Sequence, residues 1–299
     1  MIGRLIFGCG RLTGGASMAE ALRLVDICLD AGIRHFDTAP SYGLGTAEAV
    51  IGKALRSAGR DVMITAKVGS TAPRFGLVKT WLRRAKRSLT AAEPRLSDPF
   101  TPVEAAAIRS AAEFGADAMR RSAERSAALL GRIDWLLLHE SLAEHAAPET
   151  VAALDALAAR YGALPGYSNG AQFDPATDAA YPDRWIRQVA VRPQWLTGLP
   201  GEPIRQPLSL HGIALTGRWL CENDAAHARR VEQAAYLVES DDQALREIAV
   251  HYALAASHLP QARLIVSSSH PGRLKALLAA LTKLDPEQCG AITATFTRE

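Results

Sequence analysis

The chain has 299 residues, of which 48% are hydrophobic, 22% charged and 6% aromatic, an ordinary globular composition that excludes a disordered or collagen-like polymer. Its 34 basic and 31 acidic residues leave a formal charge of +3, too small an excess to point to a nucleic-acid partner. No stretch approaches the roughly 20 apolar residues that span a bilayer, and the opening Met1–Gly8 carries no apolar run of signal-peptide length, so no membrane partner and a cytoplasmic location are expected. Cys9, Cys28, Cys221 and Cys289 lie far apart, with no C-x-x-C pair and no histidine at metal-ligand spacing; reduced thiols and no metal are expected.

Short β-rich runs alternate with Ala/Leu-rich helical ones. Leu5–Gly8 reads as a strand and Ser17–Ala31 as an amphipathic helix, with Ser17 and Glu20 at capping-box spacing and Gly32 as its stop. Ile33–Phe36 is the next strand and Ala47–Ala58 the next helix; Val62–Ala66 follows as a strand. Helix Ala116–Leu130 leads to strand Trp135–Leu138, and helix Glu149–Arg160 to strand Ala163–Gly166. Trp185–Val191 and Leu210–Leu215 read as strands, Asp241–Ala256 as a long helix, Arg263–Val266 as the last strand and Pro271–Leu281 as a closing helix. Eight strands separated by helices or long connections predict an α/β fold, a (β/α)8 TIM barrel forming one domain over residues 1–299. A doubly wound sheet is the alternative, but the glycines of Gly8–Gly15 do not fit G-x-G-x-x-G, because Arg11, Leu12 and Thr13 separate Gly10 from Gly14.

The irregular part is 69–113, an inserted connection after the third strand. Within it Arg74–Arg87 carries six basic residues and no acid, mixed with Phe75, Leu77, Val78, Trp81 and Leu82. Such a segment is either a lid over an anionic ligand or a solvated loop.

In a barrel of this kind the strand ends and βα loops form the active face. Asp37 ends the second strand, Tyr42 lies five residues into its loop, Lys67 ends the third strand and His139 the fourth. An acid, a phenol, an amine and an imidazole would then meet on one rim. A phenol is a poor acid near neutrality, a lysine ammonium beside it favours its phenolate, and a carboxylate holds that ammonium in place. An imidazole can orient a carbonyl oxygen. Together they form a proton donor for the oxyanion that develops when a hydride attacks a carbonyl. Cys9 is expected as a packed thiol and His35 as a core residue; Trp81, Trp195 and Trp219 either line a cleft or pack in the core.

At these positions the sequence resembles the aldo-keto reductase family. Gly32–Gly45 (GIRHFDTAPSYGLG), followed by Glu48, is similar to that family's signature around its aspartate and tyrosine, and Thr65–Val68 to its lysine strand. Arg120–Glu140, ending IDWLLLHE, resembles the unit leading to its histidine; Gly166–Asn169 resembles its Ser-Asn pair, and Arg263–Leu274 its last cofactor loop. The resemblance implies hydride transfer between a nicotinamide, NADP(H) ahead of NAD(H), and a small carbonyl or sugar substrate. Tyr42 would be the general acid/base, Lys67 its modulator, Asp37 the partner of Lys67 and His139 the orienter of the carbonyl. Ser168 and Asn169 would hold the carboxamide, with Gln188 or Gln194 as the glutamine of the sixth strand. Ser267, Ser268 and Arg273 would read the adenosine end, although the lysine that many NADP-preferring members carry near Ser267 is missing. Leu215 would stand where members place an aromatic against the nicotinamide. The long segment after Lys67 is similar to that of aldose-dehydrogenase branches. A second expectation on the same barrel is a cofactor-binding subunit that turns over slowly or not at all. Oligomeric state is left open.

Overall fold

The computed structural model describes residues 1–12, 18–58, 62–69, 113–170, 174–197 and 207–297. Eight parallel strands close a barrel in the order of the chain: β1 (Leu5–Gly8), β2 (His35–Asp37), β3 (Met63–Val68), β4 (Trp135–Leu138), β5 (Leu164–Ser168), β6 (Ile186–Ala190), β7 (Leu208–His211) and β8 (Arg263–Val266). The ring is sealed where β1 pairs β8, with Ile6 opposite Ile265. Closure rules out the doubly wound sheet. It also explains the composition of the strands: each is covered on both faces, so β4 can be the continuous apolar run Trp-Leu-Leu-Leu, buried throughout.

Between the strands run α1 (Met18–Asp30), α2 (Ala47–Ala58), α3 (Ala116–Leu130), α4 (Pro148–Tyr161) and the short α5 (Pro175–Ala180). Three helices join β7 to β8: α6 (Ile213–Asn223), α7 (Ala225–Ala235) and α8 (Gln243–His258). After β8 come α9 (Pro271–Lys283) and α10 (Pro286–Thr297). No helix among the described residues is long and apolar enough to cross a membrane.

Two apolar layers result. Ile6, Trp135, Leu137, Ile186 and Ile265, with Met63 against them, form a small cluster from alternate strand positions inside the barrel. The neighbours of these residues point outward into a larger layer shared with the helices, which includes Phe7, Phe36, Ile64, Leu136, Leu138 and Leu264. A strand alternates faces with period two, so Asp37, Lys67 and Gln188 follow His35, Thr65 and Ile186 on the interior side, one layer nearer the carboxyl ends of the strands. His35 bonds Thr65 Oγ1 through Nε2 at 2.8 Å and packs edge-on against Trp135, which makes it the core histidine expected.

One predicted strand is corrected. Leu210–Leu215 straddles a boundary: β7 ends at His211, Gly212 turns the chain at φ +75, and α6 begins at Ile213. The apolar residues on both sides of Gly212 read as one run, but a left-handed glycine ends the strand. Leu215 therefore stands in the first turn of a helix, and His211 is the residue at the end of the strand. The predicted Ser17 cap and residues 70–112 of the predicted insertion, Trp81 among them, lie outside the described residues. Their neighbours Gly69 and Glu113 meet, with the Glu113 N–H donating to Gly69 O at 2.8 Å.

Candidate active site

Two of the four chemical residues sit at strand ends because the register puts them there. Asp37 is the last residue of β2 and Lys67 the penultimate residue of β3. Tyr42 opens the 3-10 turn Tyr42–Leu44, held by its N–H to Ala39 O at 3.0 Å. That turn leads into α2, whose buried Glu48 accepts from Ser126 Oγ of α3 at 2.7 Å, so the helix behind the tyrosine is anchored to its neighbour. His139 follows β4, tied to β3 by its N–H to Val68 O at 2.8 Å. The next residue, Glu140, adopts φ +51, a left-handed conformation that is costly for a side chain with a Cβ. Its N–H is received by Ser168 Oγ at 3.2 Å.

The geometry joins them. Lys67 Nζ donates to Asp37 Oδ2 at 2.9 Å and to Tyr42 Oη at 2.7 Å. The Tyr42 and His139 rings stand edge to face, centroids 5.4 Å apart. Gln188 Nε2 donates to the other Asp37 oxygen at 2.8 Å. Asp37, Lys67, His139 and Gln188 are buried, while Tyr42 is partly exposed.

Electrostatics follow from this burial. Burial disfavours the Lys67 ammonium, but Asp37 and the phenol outweigh it, and its pKa is raised. Burial pushes the Tyr42 phenol up to about 12; Lys67 works downward, Asp37 and Glu140 upward. The ammonium thus restrains the rise without reversing it, where the sequence suggested a net lowering. Burial, then the charges of Lys67 and His211, keeps the His139 pKa well below its ordinary value, so its ring is neutral. A neutral imidazole offers an N–H donor beside a protonated phenol.

Other expected residues divide. Asn169 is buried and its Nδ2 has no hydrogen-bond partner among the described residues, a donor that a carboxamide would satisfy. The Ser168 hydroxyl is engaged with the end of β4, donating to Leu138 O at 3.2 Å. Gln188, rather than Gln194, lies in β6, and its Nε2 donates one hydrogen bond to Asp37 Oδ1. Ser267 and Ser268 follow β8, and the His270 N–H donates to Ser268 Oγ at 3.1 Å just before α9. Arg273 lies in the first turn of α9, where backbone N–H groups and a guanidinium together suit a phosphate. Leu215, on α6, is 43% exposed and is not the strand-end residue expected. Trp195 is buried in the core under Arg192, and Trp219 is exposed on α6. Cys9 is fully buried, as a packed thiol should be.

Two residues escaped the sequence reading. His211 closes β7 and bonds Asn169 O through Nε2 at 2.9 Å, bracing the residue with the orphaned amide. Glu140 faces the phenol electrostatically. Its adjacency to His139 was the available signal, whereas His211 was hidden by the misplaced strand boundary.

Residues 4–164 match the family model described as Aldo/keto reductase family. The chain is 32% identical over 133 residues to pyridoxal 4-dehydrogenase of Microbacterium luteolum, a match covering 44% of this chain and 36% of that protein. It is 41% identical over 61 residues to D-threo-aldose 1-dehydrogenase of a Pseudomonas species, covering 20% and 18% respectively. These matches span less than half the length of either relative. Among solved structures, an aldo-keto reductase from Bacillus halodurans in its holo form superposes with a TM-score of 0.63 at 19% identity, over 98% of this chain and 91% of that one. An aldo/keto reductase from Klebsiella pneumoniae, solved with NADP and acetate, gives 0.63 at 18% identity, over 99% and 92%. At such identities the structural likeness speaks to the barrel; the family model, which matches more than half of the sequence, speaks to descent. The chain belongs to the aldo/keto reductase family.

Proposed function

We propose that the protein is an NAD(P)(H)-dependent oxidoreductase that interconverts a small aldehyde, ketone or sugar and its alcohol. The observation that carries this reading is the hydrogen-bonded series Asp37, Lys67, Tyr42, at 2.9 and 2.7 Å, beside a neutral His139. Pyridoxal and an aldose, the substrates for which two relatives are named, support an aldehyde or sugar as the substrate class.

Asn169, whose amide donor has no partner among the described residues, would hold the carboxamide of the nicotinamide, with Ser168 beside it and His211 bracing the loop. Ser267, Ser268 and Arg273 would take the adenosine phosphate end, which favours NADP(H) over NAD(H). When bound, the nicotinamide gives or accepts the hydride. In the reducing direction Tyr42 Oη releases its proton to the carbonyl oxygen as negative charge develops there. Lys67 stabilises the phenolate left behind, and Asp37 keeps Lys67 charged and aimed. His139 donates an N–H to the same oxygen and fixes its direction. In the oxidising direction the phenolate takes the proton back. We further read 1–299 as one barrel domain, 69–113 as an insertion into it, and the four free thiols as consistent with the reducing cytoplasm.

The test is fluorescence titration with NADPH and NADH followed by turnover on a panel of aldehydes, ketones and sugars, for the wild type and Tyr42→Phe. Tyr42→Phe should keep cofactor affinity and lose about 10²–10⁴-fold in turnover. Equal turnover removes the tyrosine from the mechanism. Cofactor binding with no turnover of any substrate marks a binding subunit instead.

A further inference from the structure

The three helices between β7 and β8 bring together side chains for which the proposed reaction has no use. Cys221 lies near the end of α6, His227 in the first turn of α7 and His251 in the middle of α8. The ligating atoms of the three lie within 4.8 Å of one another. The His227 and His251 Nε2 atoms face each other at 3.1 Å, and Cys221 Sγ lies 4.0 Å from His251 Nε2. Both histidines are buried, and Cys221 is partly exposed.

Three features separate this cluster from ordinary packing. His251 Nδ1 bonds Glu247 O, one turn earlier, at 2.8 Å. A carbonyl only accepts, so the proton sits on Nδ1 and the Nε2 lone pair is left pointing into the cluster, the arrangement in which a histidine ligates a metal. Gly217, one turn before Cys221, makes room for the ring: a Cβ there would lie 2.4 Å from His251 Cγ. Glu247, Glu222 and Asp224 stand close enough to Cys221 to act on it electrostatically; Arg218 pairs with Glu222 and Arg230 acts on Asp224 and His227, so Glu247 is the acid there with no cation set against it among the described residues.

We propose that Cys221, His227 and His251 form a binding site for a divalent transition metal, zinc by preference, that ties α6 and α7 to α8. One thiolate and two imidazoles suit a borderline-soft ion, and three protein ligands leave a fourth tetrahedral position for water on the exposed side of Cys221. A tetrahedral zinc with ordinary bond lengths needs its nitrogens about 3.4 Å apart and nitrogen to sulfur about 3.6 Å. From the present geometry the His227–His251 pair opens and the Cys221–His251 pair closes by a few tenths of an ångström, while Cys221 Sγ and His227, within 4.8 Å, close by up to about 1.2 Å. On binding, the Cys221 thiol releases its proton to solvent, the proton that His227 Nε2 gives to His251 is exchanged for one on Nδ1, and metal–sulfur and metal–nitrogen bonds form with no change of oxidation state. The spacing of Cys221, His227 and His251 hid this cluster from the sequence, where no metal was expected.

The test uses the full chain, freed of metal with a chelator under reducing conditions and titrated with Co2+ and then Zn2+. Stoichiometric Co2+ uptake with a sulfur-to-cobalt charge-transfer absorption, displaced by Zn2+, is expected, together with a higher melting temperature in Zn2+. Cys221→Ser should abolish the charge-transfer absorption, and His227→Gln should weaken Zn2+ binding by about 10-fold or more. NADPH titration of both variants reports that the barrel is folded. Uptake in the wild type no greater than in Cys221→Ser, or a cobalt spectrum without sulfur character, overturns the site and leaves the pair of histidines as a plain imidazole hydrogen bond.

Discussion

Gln188 and Asp37, 151 residues apart in the chain, are joined by a hydrogen bond of 2.8 Å from Nε2 to Oδ1, while Lys67 holds Oδ2 of the same carboxylate. The aspartate is therefore held from both sides. Gln188→Met should lower turnover by roughly 10-fold, the effect of stripping a buried acceptor of one donor, and leave NADPH affinity unchanged. A fall in affinity with turnover preserved would instead place Gln188 on the cofactor.

Asp37 and Lys67 form a pair with both side chains less than 5% exposed. Removing one partner from such a pair leaves a buried charge alone, a loss of about 3–5 kcal/mol. Asp37→Asn should lower the stability read by urea denaturation by that order, and Asp37→Asn with Lys67→Met should recover part of it. A single variant as stable as the wild type would mean that water reaches Lys67.

The pH profile of the reaction has a predictable sign. Burial, opposed by Lys67, sets the Tyr42 phenol at about 12, so it is protonated across neutrality. His139, lowered well below its ordinary value, remains neutral there as well. Carbonyl reduction, which uses the protonated phenol, should be nearly flat from about pH 6 to pH 9. Alcohol oxidation, which uses the phenolate, should rise close to tenfold per pH unit while the chemical step limits. Steady-state kcat/KM in both directions measures this; a reduction rate that falls steeply above neutrality would show a phenol of much lower pKa.

Arg273, in the first turn of α9, makes no ion pair among the described residues and follows Ser267 and Ser268 in the chain. A guanidinium bound to a phosphate contributes through charge-assisted hydrogen bonds worth about 1.5–3 kcal/mol. Arg273→Ala should then weaken NADPH by about 10-fold or more and NADH far less, as read by fluorescence titration. Equal losses for the two cofactors would remove the 2′-phosphate from its role.

Much of the fold was open to sequence reasoning. Trp135–Leu138, Arg263–Val266, Ala47–Ala58 and Ala116–Leu130 have the observed limits, because in each a local pattern ends at a turn residue or a change of polarity. The approximate positions of Asp37, Lys67 and His139 at strand ends followed from the same patterns. Where two elements of equal apolarity meet, as at Leu210–Leu215, local pattern does not mark the join. The predicted strand therefore ran on to Leu215, whereas β7 ends at His211.

Alternation of strands and helices, and the residue types at the strand ends, are properties of short stretches of chain, and the sequence alone was enough to specify them. Which atoms touch is a property of closure. The barrel brings Gln188 of β6 to Asp37 of β2, leaves the Asn169 amide without a partner among the described residues and folds α6, α7 and α8 so that Cys221 meets His227 and His251. Burial is likewise a whole-molecule quantity, and it decided that the Tyr42 phenol is raised although an ammonium lies 2.7 Å away. Desolvation depends on every neighbour at once, and no spacing between residues encodes it.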